Sequence, residues 1–304
     1  MGTWLAATLP VGVERTESLT RTESVARTES ERLRTIFETA TSCDDVMSRH
    51  RPHTDLRRLN RRAGDPGGVI SPDLADVVTA ARQLAEQTDG AFDPTVTPLL
   101  TLWQRSARRG QAPSGAELRA ARACVGWRAL QVTGSRVSLG RPGMALDLGG
   151  FGKGVALDRI AARLRRHACP SAFLNFGESS LLALGRPPRG RWTIVLRHPF
   201  GGYAAAFPLR DRACSTSATV APRRVAAGGR RARPLVDPRT GDLVEAIAQV
   251  TVLARSAAVA EAASTAMLVQ GRSALEALAE RLDVDACWID GSGIVTTRWF
   301  PLQR

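Results

Sequence analysis

The stretch Asp147-Leu148-Gly149-Gly150-Phe151-Gly152-Lys153-Gly154 gathers four glycines around one acid and one lysine. Glycine lets a backbone come close to a ligand, and amide N–H groups at a helix start together with an ammonium group suit a phosphate. Further on, Glu261 and Thr265 stand four apart in a predicted helix and so share one face, as two oxygen ligands of a hard cation would. Taken together, these residues suggest a nucleotide diphosphate held by glycine amides, Lys153 and a magnesium ion. Each piece also has a plainer reading. The glycine run is neither a Walker A loop nor GxGxxG and equally describes a tight strand-to-helix connection. Asp147 is an acceptor for ligand hydroxyls or a loop-stabilising Asx residue. Glu261 and Thr265 equally describe a surface acid and a threonine bonded back to its own helix.

Other polar clusters carry less. Gly90-Ala91-Phe92-Asp93-Pro94-Thr95 is a stiff loop able to present Asp93 and Thr95, or a simple Asp-Pro turn. Asp237-Pro238-Arg239-Thr240-Gly241 is a turn by composition. His50, His53, His167 and His198 have neither ligand spacing nor a nearby nucleophile motif and are read as surface or packing residues.

The elements that must position these groups follow from patterning. Met1 to Pro10 reads as a short apolar strand. Arg-Thr-Glu-Ser then occurs at 15–18, 21–24 and 27–30, too short and polar for a solenoid unit, and reads as an expanded loop leading into a helix from about Ser30 to Met47. Ser71-Pro72-Asp73 starts a helix that ends before Asp89-Gly90. Ser114 and Glu117 form a capping box. A helix follows the glycine loop from Gly154 to about His167, and strands are expected at 172–176, 192–196 and 204–209. The last third reads strand 247–253, helices 257–269 and 273–282, and strands 286–289 and 294–299. Helix and strand mix without regular βαβ alternation, which favours α+β over a doubly wound sheet.

Composition sets outer limits. A chain of 304 residues buries a sizeable core, and the lack of a polar or Pro/Gly linker favours one domain. The net charge of +13, from 42 Lys+Arg against 29 Asp+Glu, is carried almost entirely by arginines spread along the chain. Only 5% of residues are aromatic, which argues against a nucleic-acid reader while leaving a surface that attracts anions. The five scattered cysteines form no CxxC pair and read as reduced thiols. No apolar run approaches a membrane span, and Met1-Gly2-Thr3-Trp4 lacks the charged and apolar regions of an export signal. The expectation is a cytoplasmic protein, or an exported one if the start is misassigned.

In order, the landmarks Met1-Gly2-Thr3, Asp55 to Asn60, Gly90 to Thr95, Trp103, the 147–154 loop, Asn175-Phe176-Gly177-Glu178-Ser179, Ser215-Thr216-Ser217, Asp237 to Gly241, and Glu261 to Thr265 make a chain that resembles the ApbE family of flavin transferases, which move FMN from FAD onto a threonine or serine of an acceptor protein. The resemblance spans nearly the whole chain. It implies one T-fold-like α+β domain over 1–304 with a mixed, largely antiparallel sheet and flanking helices, carrying a polar loop insertion at about 12–30. It further implies FAD as substrate, Mg2+ on its pyrophosphate, AMP as leaving group and an acceptor flavoprotein with a Ser/Thr motif. Met1, Ala91, Phe92, Asp93, Asp147, Gly149, Gly150, Lys153, Val155 and Thr216 would bind FAD. Gly152, Glu261 and Thr265 would hold the metal, and Lys153 and Glu261 would serve catalysis. Three positions depart from the family pattern: Pro234 where a histidine is usual, Glu261 for an aspartate, and Gly177-Glu178-Ser179 for Gly-Gly-Asp. Two further activities fit such a diverged member: FAD binding without transfer, and hydrolysis of FAD to FMN and AMP.

Overall fold

Ala248 to Ala254 is buried at every position, the pattern of a strand covered on both faces. It is the fifth strand in a seven-stranded sheet of order β1 (Leu5–Thr8), β5 (Ala172–Phe176), β6 (Ser180–Leu184), β9 (Arg212–Ala218), β10 (Ala248–Ala254), β11 (Asp285–Asp290) and β12 (Gly293–Thr296), with all neighbours antiparallel. The computed structural model describes residues 3–9, 19–49, 51, 53–219 and 235–303. The architecture is α+β, as the lack of βαβ alternation predicts.

Residues alternate between the two faces of this sheet. Leu174, Leu182, Val250, Val252 and Trp288 join a large apolar cluster with α6 (Gly152–Arg166) and α7 (Ala257–Gln270). Leu181, Ala183, Leu253 and Ile289 join a second cluster with the hairpin of β7 (Trp192–Arg197) and β8 (Tyr203–Leu209). Helix α7 is buried nearly all round, which explains a sequence made of alanine and aliphatics with no polar face. Packed against α6 is α1 (Leu19–Met47), through Ile36, Cys43 and Met47.

The start of α1 corrects the expected loop insertion at about 12–30. The backbone is helical from Leu19, so the second and third Arg-Thr-Glu-Ser units lie within a helix, while the first, 15–18, falls outside the described residues. No glycine or proline occurs between Val13 and Met47, and Arg and Glu favour helix, so nothing stops it. The missing apolar stripe suggests a loop only when helix is equated with amphipathicity.

Between α1 and α6 lie α2 (Asp55–Arg61), α3 (Pro72–Gln87), α4 (Thr97–Arg109), α5 (Gly115–Ala123) and a small sheet ordered β2 (Gly68–Val69), β4 (Arg136–Leu139), β3 (Leu130–Thr133). The Ser114/Glu117 capping box of α5 is formed on both sides. Near the C-terminus, α8 (Leu275–Leu282) closes the connection from α7 to β11.

Candidate functional site

Helix α6 begins at Gly152, two residues earlier than the sequence pattern predicts, so Gly152, Lys153 and Gly154 form its first turn. A lysine there sits unfavourably at the positive end of the helix dipole. Glu261, from the middle of α7, offsets this: its Oε1 accepts from Lys153 Nζ at 2.5 Å and from the Ser180 hydroxyl, and its Oε2 accepts from the Gly154 N–H at 2.8 Å. Glu261 is 3% exposed. An acid this deep is stable only when paired and hydrogen-bonded, and all of its donors come from elsewhere in the chain.

The attachment is reciprocal. Asp158, one turn and a half further along α6, accepts from Ser256 Oγ at 2.6 Å and from the N–H groups of Ala257 and Ala258 at 2.7 and 3.1 Å, capping the start of α7. Each helix thus receives at its N-terminus a carboxylate from the other. Burial pushes the Asp158 carboxyl above its ordinary range, the three hydrogen bonds pull it back, and the nearby Glu261 charge adds a smaller upward push. Gly154 makes the crossing possible: a Cβ there would lie 2.5 Å from the backbone C and O of Ala257.

Above this clasp opens a cleft of about 440 Å³ lined by Ala91, Phe92, Asp93, Asp147, Gly149, Gly150 and Thr265, together with Arg49, Ser179 and Ser217. The glycine loop is anchored beneath it by Asn60, which bonds both the N–H and the C=O of Leu146, and by the Asp147 N–H to Pro94 O at 2.8 Å. Of the two readings of Asp147, the loop-stabilising one describes its contacts: Oδ1 accepts from the Gly149 N–H at 2.8 Å and Oδ2 lies 3.4 Å from Arg49 Nε. Gly154 N–H is taken by Glu261 and Gly152 N–H by Leu148 O, so these two of the glycine amides expected to hold a phosphate are already paired. Among the described residues, the N–H groups of Gly150 and Lys153 have no acceptor. A Cβ on Gly150 would meet no protein atom within 4 Å, so the room beside it belongs to the cleft.

Thr265 lies on the cleft wall one turn beyond Glu261 and makes no hydrogen bond among the described residues. Thr35, Thr39, Thr41, Thr79 and Thr88 all bond back to a carbonyl four residues earlier. Both halves of the plainer reading, a surface acid and a back-bonded threonine, therefore fail at this pair. Asp93 is turned inward: its carboxylate, 6% exposed, takes the Thr95 N–H and hydroxyl at 2.8 and 2.7 Å and the Trp127 N–H at 3.0 Å, and burial raises its pKa. It stiffens the loop rather than presenting a charge.

Other expected residues lie elsewhere. Val155 is packed in the apolar cluster, and Thr216 bonds Thr251 Oγ1 at 2.9 Å, on the opposite face of β9 from Ser215 and Ser217, which meet Ser264. Met1 and Pro234 lie outside the described residues. Sequence reasoning missed Arg49, Asp158 and Ser180, and named Ser179 and Ser217 only as landmarks of the resemblance, not as site residues. Ser180 and Asp158 left a signal, each being polar in an otherwise apolar strand or helix face. A stronger signal was also present: Lys153 is the single lysine among the 42 basic residues of the chain. Among the described residues no cluster of three or more His, Cys, Asp or Glu is placed to hold a metal.

The chain is 30% identical over 237 residues to an FAD:protein FMN transferase of Rhodobacter capsulatus, covering 76% of this chain but only 45% of that protein. It is 27% identical to the FAD:protein FMN transferase of Klebsiella pneumoniae, covering 84% of this chain and 80% of that one. The structure superimposes on the flavin transferase ApbE from Vibrio cholerae with a TM-score of 0.77 at 26% identity, covering 98% and 94% of the two chains. The ApbE family model itself matches residues 1–288, so the chain belongs to the ApbE family.

Proposed function

We propose that this ApbE-family flavin transferase binds FAD in the cleft above the α6/α7 clasp, as a single domain, and passes its FMN moiety to a serine or threonine hydroxyl of an acceptor protein. The acceptor oxygen attacks the FMN-side phosphorus, the bond to the bridging oxygen breaks, AMP departs with that oxygen, and the hydroxyl proton is released. The observation that carries this reading is the ion pair of Lys153 with Glu261, next in sequence to the cleft-lining Gly149 and Gly150 on one side and one helical turn from the cleft-lining Thr265 on the other, with the amides of Gly150 and Lys153 open among the described residues.

Phosphoryl transfer asks a protein mainly for positioning and charge neutralisation. The amides of Gly150 and Lys153 suit phosphate oxygens, and the Lys153 ammonium is a compact charge that a planar guanidinium does not replace. Its being the one lysine in an arginine-rich chain supports a role that arginine does not fill.

The residues also suit a divalent cation. Glu261 is a buried carboxylate already balanced by a positive charge, and Thr265 offers on the same helix face a hydroxyl without a partner among the described residues. Magnesium takes few protein oxygens and completes its shell with phosphate and water, so Glu261, Thr265 and the Gly152 carbonyl would hold it. Bound there, the ion supplies charge neutralisation on the pyrophosphate.

The test incubates the protein with FAD, magnesium chloride and an acceptor carrying a Ser/Thr flavinylation motif, and reads covalent FMN by mass spectrometry with AMP by chromatography. Stoichiometric FMN and AMP support the reading. Free FMN and AMP without modified acceptor identify hydrolysis, and FAD binding without AMP identifies a carrier.

A further inference from the structure

A second concavity, of about 500 Å³, shares Asp93 and Pro238 with the cleft wall and is lined by Arg119, Arg122, Arg128, Arg141 and Arg239 around Trp127. Arg119 and Arg122 are three apart on α5 and exposed, on a helix whose capping box holds it rigid. Arg128 stacks over Trp127 at 4.5 Å from the ring centroid, and Arg141 reaches the carbonyls of Ala123 and Val125 at 3.2 Å. Arg239 is held by Asp237 through paired contacts of 2.9 and 2.8 Å. Among the described residues, Arg119, Arg122, Arg128 and Arg141 have no carboxylate partner.

The acids on this wall do not neutralise them. Asp93 is turned inward onto Thr95 and the Trp127 amide, and Asp89 pairs with Arg281 at 2.5 Å. Exposed like charges gathered on rigid elements without counter-ions make a positive field that draws an anionic partner. Asp93 and the Trp127 amide tie the groove to the cleft, so whatever lies in it is held beside that cleft.

Resting on the transferase reading above, we propose that this groove docks an acidic segment of the acceptor protein next to its flavinylated residue. A polypeptide suits it better than a nucleic acid, because the aromatic ring on its wall, Trp127, is 7% exposed and covered by Arg128, leaving no face for base stacking. Guanidinium groups recognise carboxylates bidentately, and unpaired charges at the rim speed encounter and fix register.

The experiment uses the full-length protein with FAD, magnesium chloride and two synthetic peptides that share one Ser/Thr flavinylation motif, one flanked by Asp and Glu, the other by Asn and Gln. Steady-state FMN transfer is compared in wild type, Arg119→Glu/Arg122→Glu, and Arg165→Glu/Arg166→Glu, which makes the same change in net charge at the far end of α6. FAD affinity is measured separately by fluorescence quenching. The expected result is a KM about tenfold lower for the acidic peptide in wild type, shrinking with salt. That preference vanishes in the α5 variant, with FAD affinity and kcat unchanged, and persists in the α6 control. Equal KM values for the two peptides in wild type, or an equal loss in the control, overturn the docking proposal while leaving the transferase reading intact. Loss of single-stranded oligonucleotide binding in the α5 variant, with peptide KM unchanged, overturns it in favour of a nucleic acid. Transfer to neither peptide while FAD binds removes the transferase reading and this proposal together.

Discussion

Glu261 is 3% exposed and takes donors from Lys153, Gly154 and Ser180, whereas Arg119 and Arg122 are exposed and meet no carboxylate among the described residues. One region of the molecule closes its charges upon themselves, and the other leaves them open to solvent. The contrast follows from dielectric. A charge removed from water must be matched within the chain, so the α6/α7 junction is saturated on both sides, by Glu261 in one direction and Asp158 in the other. At the surface, water screens a bare guanidinium cheaply, and four of them can persist as a field that acts on a partner. The buried cluster sets geometry and the open one sets encounter.

Substitutions sharpen that difference, beginning with the largest effect. Glu261→Gln keeps size but leaves Lys153 without its counter-charge and weakens any cation site. FMN transfer should fall by about 10²–10³-fold, the scale for losing one well-placed electrostatic contact in a transition state. Single-turnover assays at saturating FAD measure it, and an unchanged rate would detach the clasp from the chemistry.

Next is Gly154→Ala, which places a methyl 2.5 Å from the Ala257 backbone. Because the obstacle is main chain rather than a flexible side-chain end, α6 and α7 must separate. A loss of about 1–3 kcal/mol in stability is expected from urea unfolding. A neutral result would show that the helices are not in contact as described.

A smaller effect concerns pH. The folded pKa of Asp158 lies above its ordinary value of 3.8, with burial the main cause. Its stabilising contribution is therefore complete below that value and is lost as pH rises through the folded pKa, because ionisation costs more in the fold than in the unfolded chain. Asp158→Asn removes this titration. The stability difference between wild type and variant should drift against the wild type across that window and stay flat above it, as read from urea midpoints at a series of pH values. A difference that drifts in favour of the wild type would refute the assignment.

The smallest effect belongs to the open region. Arg122→Ala should leave unfolding free energy within about 0.5 kcal/mol, as for an exposed residue with no carboxylate partner among the described residues. A larger loss would mean that the groove is structural after all.

Much of the fold was legible because its signals are local. Ser114 and Glu117 announce α5, and the short, largely apolar runs of β10 and β5 announce strands, since each depends on residues a few positions apart. The start of α1 was misread because its first turns lack an apolar stripe, and a helix held by its later turns does not need one throughout. At the site, the glycine loop and the Glu261/Thr265 pair stood out by composition. Ser180 and Asp158 showed only as polar residues in apolar surroundings; their roles stayed hidden, because their partners lie 81 and 98 residues away and no spacing rule reaches so far.

By itself the chain's sequence determined which chemistry was available: glycines and one lysine for a phosphate, and an acid and a hydroxyl one helical turn apart. Tertiary structure alone decided that Glu261 turns to Lys153 and the Gly154 amide, that Asp93 faces inward, and that Thr216 faces away from the cleft side of its sheet. The reason is physical. Side-chain type follows from composition, but the partner of a buried charge depends on which distant backbone groups the packing leaves unsatisfied beside it.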